Sequence, residues 1–355
     1  MAGKEKINGY KKYIRKKWLA LIILALILAA AVITALSVGS SGLPLTEILR
    51  VLTGGGESAS RIIIFNVRMP RIAAAVAVGT ALAMAGCIMQ NVLRNPLASA
   101  STLGISQGAS FGAAMAIIYF QGGSQISNAS SNAITFTNPY TVVICAFIGG
   151  IATTALILLL SRVTGVAPSV MILAGVAVSA MFTGATALIQ YFSDDSKIAA
   201  VVYWTFGNLG RAGFREISLI FILNAAAFLY FIYNRWSYNA MESGADTAKS
   251  LGVNVDMLIL ASMCAATLIS AAAVAFVGAI SFIGLIAPHI ARRFVGGDYR
   301  FLVPCSALAG AVIMLAADIV SRTIKAPAIL PIGAVTSFLG APVFLYLIIK
   351  QGKKR

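Results

Sequence analysis

Met257–Ala287 reads MLILASMCAATLISAAAVAFVGAISFIGLIA, thirty-one consecutive residues without a charge. Wound as one α-helix it would reach about 46 Å, whereas the hydrocarbon core of a bilayer is about 30 Å thick. Gly278 and Gly284 offer places to turn. Split there, the run supplies one full membrane span and one short one.

The rest of the chain has the same character. Of its 355 residues, 59% are hydrophobic and 11% charged, whereas soluble domains carry about 25% charged residues. A soluble core could not hide this much apolar surface. Seven more long runs stand out: Trp18–Val38, Ile72–Val92, Tyr140–Leu160, Val170–Gln190, Ile217–Tyr233, Leu302–Val320 and Ile332–Ile349. Leu103–Phe120 is shorter and rich in Gly and Ala, but suits a packed span, where small residues let helices approach closely. The first run is too long for a cleavable signal and lacks a small-residue cleavage site, so it is expected to be retained.

Charge sets the orientation. The net charge of +16 could suggest nucleic acid, but the basic residues cluster at the chain ends and in short loops. Seven Lys and Arg precede the first span, and Lys350, Lys353, Lys354 and Arg355 follow the last. The positive-inside rule then puts both termini in the cytosol and requires an even span count. With Met257–Ala287 split, the count is about ten, and two thirds of the 27 basic residues fall on the cytosolic side. The expected fold is an all-α membrane protein. A basic cytosolic segment covers residues 1–16, a single polytopic transmembrane domain residues 17–350 and a basic tail residues 351–355.

Several chemistries are absent. There is no phosphate-binding loop of the G-x-x-x-x-G-K-[ST] form. His289 is the one histidine, and no metal-ligand spacing or nucleophile–base set can be assembled, so no metal or other cofactor is expected. Cys87, Cys145, Cys264 and Cys305 sit singly in apolar runs and read as packing residues. Asp318 is the main charge inside a span; Arg322 lies one helical turn on, at pairing distance. Gly86, Arg94 and Gly112 recur as Gly284, Arg292 and Gly310 at a constant offset, an echo on which a Gly-rich chain allows nothing to be built.

Three blocks carry a resemblance. Residues 68–112 read RMPRIAAAVAVGTALAMAGCIMQNVLRNPLASASTLGISQGASFG, residues 282–304 FIGLIAPHIARRFVGGDYRFLVP and residues 330–348 LPIGAVTSFLGAPVFLYLI. In this order they resemble the R-x-P-R, R-N-P-L-A, L-G-x-x-x-G-A, G-L-x-x-P-H and L-P-x-G-x-x-T motifs of the FecCD family. These are permease subunits of bacterial ABC importers for iron-siderophores, haem and cobalamin. The resemblance covers the chain after its first span. One departure is Ile329, where many members carry an acidic residue.

The resemblance implies roles residue by residue. Arg68, Arg71 and Arg322 are expected to dock acidic residues of an extracytoplasmic substrate-binding lipoprotein or periplasmic protein, for which a guanidinium is suited. The loop of about residues 239–255, NAMESGADTAKSLGVNV, is expected to form two short helices broken at Gly244 and seated in a cleft of an ABC ATPase subunit. Ala245, Ala248, Leu251 and Gly252 would lie on or near that contact, and Glu242, Asp246 and Lys249 would share a face. Asn95 and Leu97, after a helix that Pro96 cannot continue, and more weakly Pro168 and Ser169, are candidates for a cytosolic gate. A second permease subunit, identical or paralogous, would complete the pathway in the cytoplasmic (inner) membrane. An iron-siderophore is the expected cargo, with haem or cobalamin as alternatives. A secondary carrier, a membrane-embedded enzyme and a zinc or manganese permease are the rival readings; the scarcity of titratable groups within spans weighs against the first two.

Overall fold

The computed structural model describes residues 2–39, 42–120, 124–128, 131–135, 138–164, 168–326 and 328–352. Helix α1 (Ala2–Ser37) carries the basic N-terminal residues and the first apolar run without a break. Two short helices, α2 (Leu45–Leu52) and α3 (Ser58–Ile62), follow at its far end. A π-helical stretch, Ile63–Arg68, joins α3 to α4 (Met69–Val92), so that Ser58–Val92 forms one continuous rod of 35 residues. Next come α5 (Ile105–Tyr119), α6 (Pro139–Thr164), α7 (Pro168–Tyr191), α8 (Asp195–Thr205) and α9 (Phe214–Tyr233). The short pair α10 (Arg235–Glu242) and α11 (Ala245–Ser250) precedes α12 (Val255–Val277), α13 (Ile283–Val295), α14 (Tyr299–Thr323) and α15 (Ile332–Gly352).

Seven of the described helices are long and apolar enough to cross a membrane, and α5 and Ile332–Tyr346 of α15 are shorter apolar helices. Among the described residues the regular structure is helical apart from one antiparallel hairpin between α5 and α6. Its strands β1 (Ser124–Asn128) and β2 (Ser131–Thr135) set Ser124 opposite Thr135. Sequence patterning shows that connection only as a polar loop.

Helix α4 is the axle of the bundle. It packs against α14, α12, α13 and α9, and nearly all of its residues are buried. Its Ala- and Gly-rich sequence makes this possible, because helices in lipid gain by close van der Waals packing. At Gly86 a Cβ would run into the backbone of Gly284 on α13; at Gly310 of α14 it would run into Gly79 and Ala83 of α4. Two of the echoed glycines, Gly86 and Gly284, are therefore each other's contact. By contrast α1 leaves Trp18, Leu19, Ile22 and Leu26 exposed, the surface expected of a helix solvated by lipid.

The over-long run breaks as expected, but only one of its two glycines does the turning. Helix α12 stops at Val277, and Gly278 follows with φ of +92°, a conformation in which a Cβ is strained. A Cβ there would also meet the Trp204 carbonyl oxygen of α8 at 2.5 Å. Gly284 lies inside α13 and serves packing instead.

Candidate functional site

At the end of the bundle where α1 finishes, Arg71 and Arg322 meet on one carboxylate, that of Asp318, and Arg68 lies beside Arg322. Arg71 Nε lies 2.6 Å from Asp318 Oδ1, and Arg322 Nε 2.9 Å from Asp318 Oδ2. Asp318 is fully buried, and the three arginines are 4–8% exposed. Arg322 and Arg68 also reach the end of α1. Arg322 Nη1 donates to the carbonyls of Val38 and Ala35 at 3.1 and 3.3 Å, and Arg68 Nη1 to those of Leu36 and Ser37. The last carbonyls of a helix lack partners within it and carry the negative end of its dipole, so cations belong there. In this structure the three side chains are buried: Arg68 and Arg322 hold the end of α1, and Arg71 and Arg322 join α4 to α14 through Asp318. Arg50, Arg61, Arg215 and Lys325 are the exposed cations among the segments flanking this end.

At the other end, α4 stops in a tight turn. Arg94 takes a φ of +48°. Asn95 Oδ1 accepts from the Leu97 amide at 2.8 Å, an Asx turn that Pro96 favours. Thr102 Oγ1 donates to the Leu97 carbonyl at 3.1 Å. Asn95 is thus committed to the turn, while the Leu97 side chain is 45% exposed and available to a neighbour. Pro168 and Ser169 open α7, Pro168 at a position where its missing N–H costs no helical bond. Residues 165–167, just before them, lie outside the described residues.

The loop between α9 and α12 forms two helices broken at Gly244, whose φ is +121°. The five expected contact residues divide. Ala248 is fully buried and Ala245 half-buried, while Leu251 is 69% exposed and Gly252 is also exposed. Ala248 therefore holds α11 against the bundle, and the outer face is left to Leu251, Gly252, Asp246 and Lys249. Glu242 does not share that face. The break at Gly244 separates it from Asp246 and Lys249, and its carboxylate pairs with Arg292 of α13 at 3.2 Å.

The α13–α14 turn is pinned close by. Asp298 caps α14 through the Arg300 amide and takes Arg300 Nη2 at 2.7 Å and Lys17 Nζ of α1 at 3.6 Å. Desolvation alone would raise the pKa of this carboxyl, but hydrogen bonds from Arg300 and the nearby charges outweigh it and hold the pKa at about 2. Among the described residues no three His, Cys, Asp or Glu side chains gather as a metal site.

The sequence profile of the FecCD transport family matches residues 26–350. The chain belongs to the FecCD transport family. It is a multi-pass membrane protein and a permease subunit of the ABC transporter type. A protein of Methanocaldococcus jannaschii named as an ABC transporter permease is 51% identical over 97% of this chain and 98% of its own. The hemin transport system permease of Yersinia pestis is 34% identical over 94% and 97%. A solved inward-facing structure described as a metal-chelate type ABC transporter is 29% identical, with a TM-score of 0.78 over 94% of this chain and 99% of that one.

In this FecCD-family chain, sequence reading missed the residues that tie the loop to the bundle. Tyr238 of α10 is fully buried. Its hydroxyl lies 2.7 Å from Ser262 Oγ of α12, and its carbonyl accepts from Asn91 Nδ2 of α4 at 3.1 Å. Asn239 Oδ1 accepts from the Tyr299 amide at 2.9 Å. The available signal was the amphipathic spacing of Tyr238 and Met241 on RWSYNAME, both buried as a three-residue spacing allows.

Proposed function

We propose that the chain is one of two permease subunits of an importer that takes an iron(III) chelate into the cytosol at the expense of ATP. Ten spans are formed by α1, α4, α5, α6, α7, α9, α12, α13, α14 and α15, with both termini in the cytosol. Residues 17–350 make the single membrane domain, flanked by basic cytosolic segments at 1–16 and 351–355. The second subunit is a copy or a paralogue, and the pathway runs between the two. The chain holds no ATPase site of its own and takes its energy from ABC ATPase subunits.

The observation that carries this reading is the pair α10–α11 with its break at Gly244 and its exposed Leu251. Within residues 239–255, Ala245, Leu251 and Gly252 meet the ATPase and Ala248 backs them. Asn95, Leu97, Pro168 and Ser169 close the cytosolic end of the pathway. The binding protein docks at the opposite end, where its carboxylates would compete with Asp318 for Arg71 and Arg322 beside Arg68.

The cargo follows from chemistry as well as kinship. An iron chelate arrives with its metal already ligated, so it needs no ligand cluster from the spans, and none gathers among the described residues. Siderophore complexes are the first assignment; haem is the second, supported by the hemin permease among the relatives. The test is uptake by proteoliposomes holding the permease with its ATPase and binding protein, offered labelled ferric siderophore, haem or cobalamin. Gly244→Val, which forces a β-branched residue to φ of +121°, is expected to retain membrane insertion and ATP hydrolysis while uptake collapses. Uptake at the wild-type rate would remove the coupling role of this loop.

A further inference from the structure

We propose that the furrow between α6 and α9, floored by α12, binds one phospholipid of the leaflet that meets the end of α1, its phosphodiester on Arg211 and Arg215 and one hydrocarbon chain reaching the cavity beside Cys264. This goes beyond the transport reading and does not depend on it.

Among the described helices, α6 and α9 both pack on α12 and make no comparable contact with each other. Tyr140 bridges them at one end, donating to Glu216 Oε1 at 3.1 Å. This is the end where α1 finishes, for a Cβ on Gly210, next to Arg211, would lie 3.5 Å from Arg71 Nη1. Two adjoining cavities share Tyr140, Val143, Glu216 and Phe276 there. The smaller, about 140 Å³, is lined also by Arg211 and Trp204; the larger, about 670 Å³, by Arg215 and the exposed Ile144, Leu219 and Ile222.

The furrow continues into the bilayer. On α6, Tyr140, Ile144, Ile148, Ile151, Ala155 and Leu158 recur every three or four residues, which puts them on one face of the helix. The last three, with Cys264 and Leu268 of α12, line a third cavity of about 410 Å³. Thr154 and Thr267 also line it, but their hydroxyls bond to each other at 2.8 Å, so what it offers an occupant is apolar. One leaflet of hydrocarbon is about 15 Å deep, or about ten helical residues. Counted from Ile144, that depth ends at Thr154. The third cavity therefore lies where a chain anchored at the mouth of the furrow would finish.

The mouth suits a phosphate. A guanidinium matches the paired oxygens of a phosphodiester, and basic groups between membrane helices are a recurring means of holding lipid headgroups. Burial pushes the Arg211 pKa down to about 10, and an anion alongside would offset part of that desolvation. Glu216 is the acid nearby, and it is already engaged: it accepts from Tyr140 and lies in the first turn of α9, close against Gly213, where the helix dipole stabilises a negative charge. A free phosphate would leave the apolar cavities unfilled, and a hydrocarbon without a phosphate would leave the two arginines unmatched. A phospholipid meets both needs.

The test uses full-length permease purified in detergent, with the phospholipid still held counted by native mass spectrometry. One phospholipid per chain is expected to survive washing. Arg215→Gln and Ala155→Phe alter exposed positions, so both variants should fold. Each is expected to lower the retained fraction by about tenfold, the scale of one charge-assisted hydrogen bond or of a chain displaced from its cavity. Arg50→Gln, at an exposed cation outside the furrow, is expected to retain lipid as the wild type does. Stripped protein is then melted with additions. Dioleoylphosphatidylglycerol at about a hundredfold excess over its dissociation constant is expected to raise the midpoint by about 3–6 °C. Inorganic phosphate and dioleoylglycerol, each supplying one part of the lipid, are expected to give no rise. Absence of retained lipid, wild-type retention in Arg215→Gln or Ala155→Phe, an equal loss in Arg50→Gln, or an equal rise with phosphate or dioleoylglycerol would overturn the proposal. So would oxidative cross-linking of two chains through Cys264, which would put a second copy over the furrow.

Discussion

Replacing Gly86 by alanine adds one methyl group where α4 and α13 cross backbone to backbone. The Cα and carbonyl carbon of Gly284 would lie 2.7 and 2.6 Å from the new Cβ, with the carbonyl oxygen nearer still. Carbon atoms come into contact at about 3.5 Å, so α4 and α13 must part by about 1 Å. All three obstructing atoms are backbone, and no rotamer change relieves them. Overpacking of this sort costs about 1–3 kcal/mol. For a chain of this size that corresponds to a midpoint lower by about 2–6 °C. The assay is a thermal melt in detergent followed by the fluorescence of the three tryptophans, with size exclusion to confirm that the protein is folded at the start. Gly184→Ala is the control. It lies within α7 with nothing inside 4 Å of a Cβ, and removing a mid-helix glycine there should stabilise by about 0.5–1 kcal/mol. A Gly86→Ala midpoint equal to that of the wild type would refute the backbone contact between α4 and α13.

Asp318→Asn leaves Arg71 and Arg322 buried without their counter-charge. Breaking one side of a buried pair costs about 3–5 kcal/mol, so folded permease recovered from membranes should fall sharply, whereas Arg50→Ala, with a side chain 77% exposed, should leave the yield unchanged. Asp298→Asn tests the clasp on Lys17 and Arg300. Its carboxyl is held at about 2, below the ordinary 3.8, so its contribution is complete above that ordinary value and fades as pH falls through the folded one. The variant should melt below the wild type at pH 7, and the gap should close as the medium is acidified across that window.

The helical class, the break in Met257–Ala287 and the break at Gly244 were legible because each rests on local covalent facts. A lipid-solvated helix must be apolar over its length, and a left-handed turn calls for glycine. The three family motifs were legible for the same reason, as fixed spacings of Gly, Pro and Arg. The direction of Arg68, Arg71 and Arg322 was not. A charged residue near a span end reads identically whether it points out to a docking partner or in to Asp318, and Arg71 and Asp318 are 247 residues apart in sequence. The shared face drawn for Glu242, Asp246 and Lys249 failed because helical periodicity does not survive a residue at φ of +121°.

By itself, then, the sequence determined that this chain lies in a membrane, roughly where its long apolar helices fall, and which family it belongs to. Those properties follow from each segment's own hydropathy, charge and turn chemistry. Only the tertiary structure decided which glycines are hinges and which are contact points, and that one buried aspartate gathers two arginines at the end of α1. It also decided that α10 is rooted in the bundle while α11 faces outward. These depend on which distant segments meet, and helix contact in lipid is selected by close fit rather than by hydrophobicity, so composition and spacing carry little trace of it.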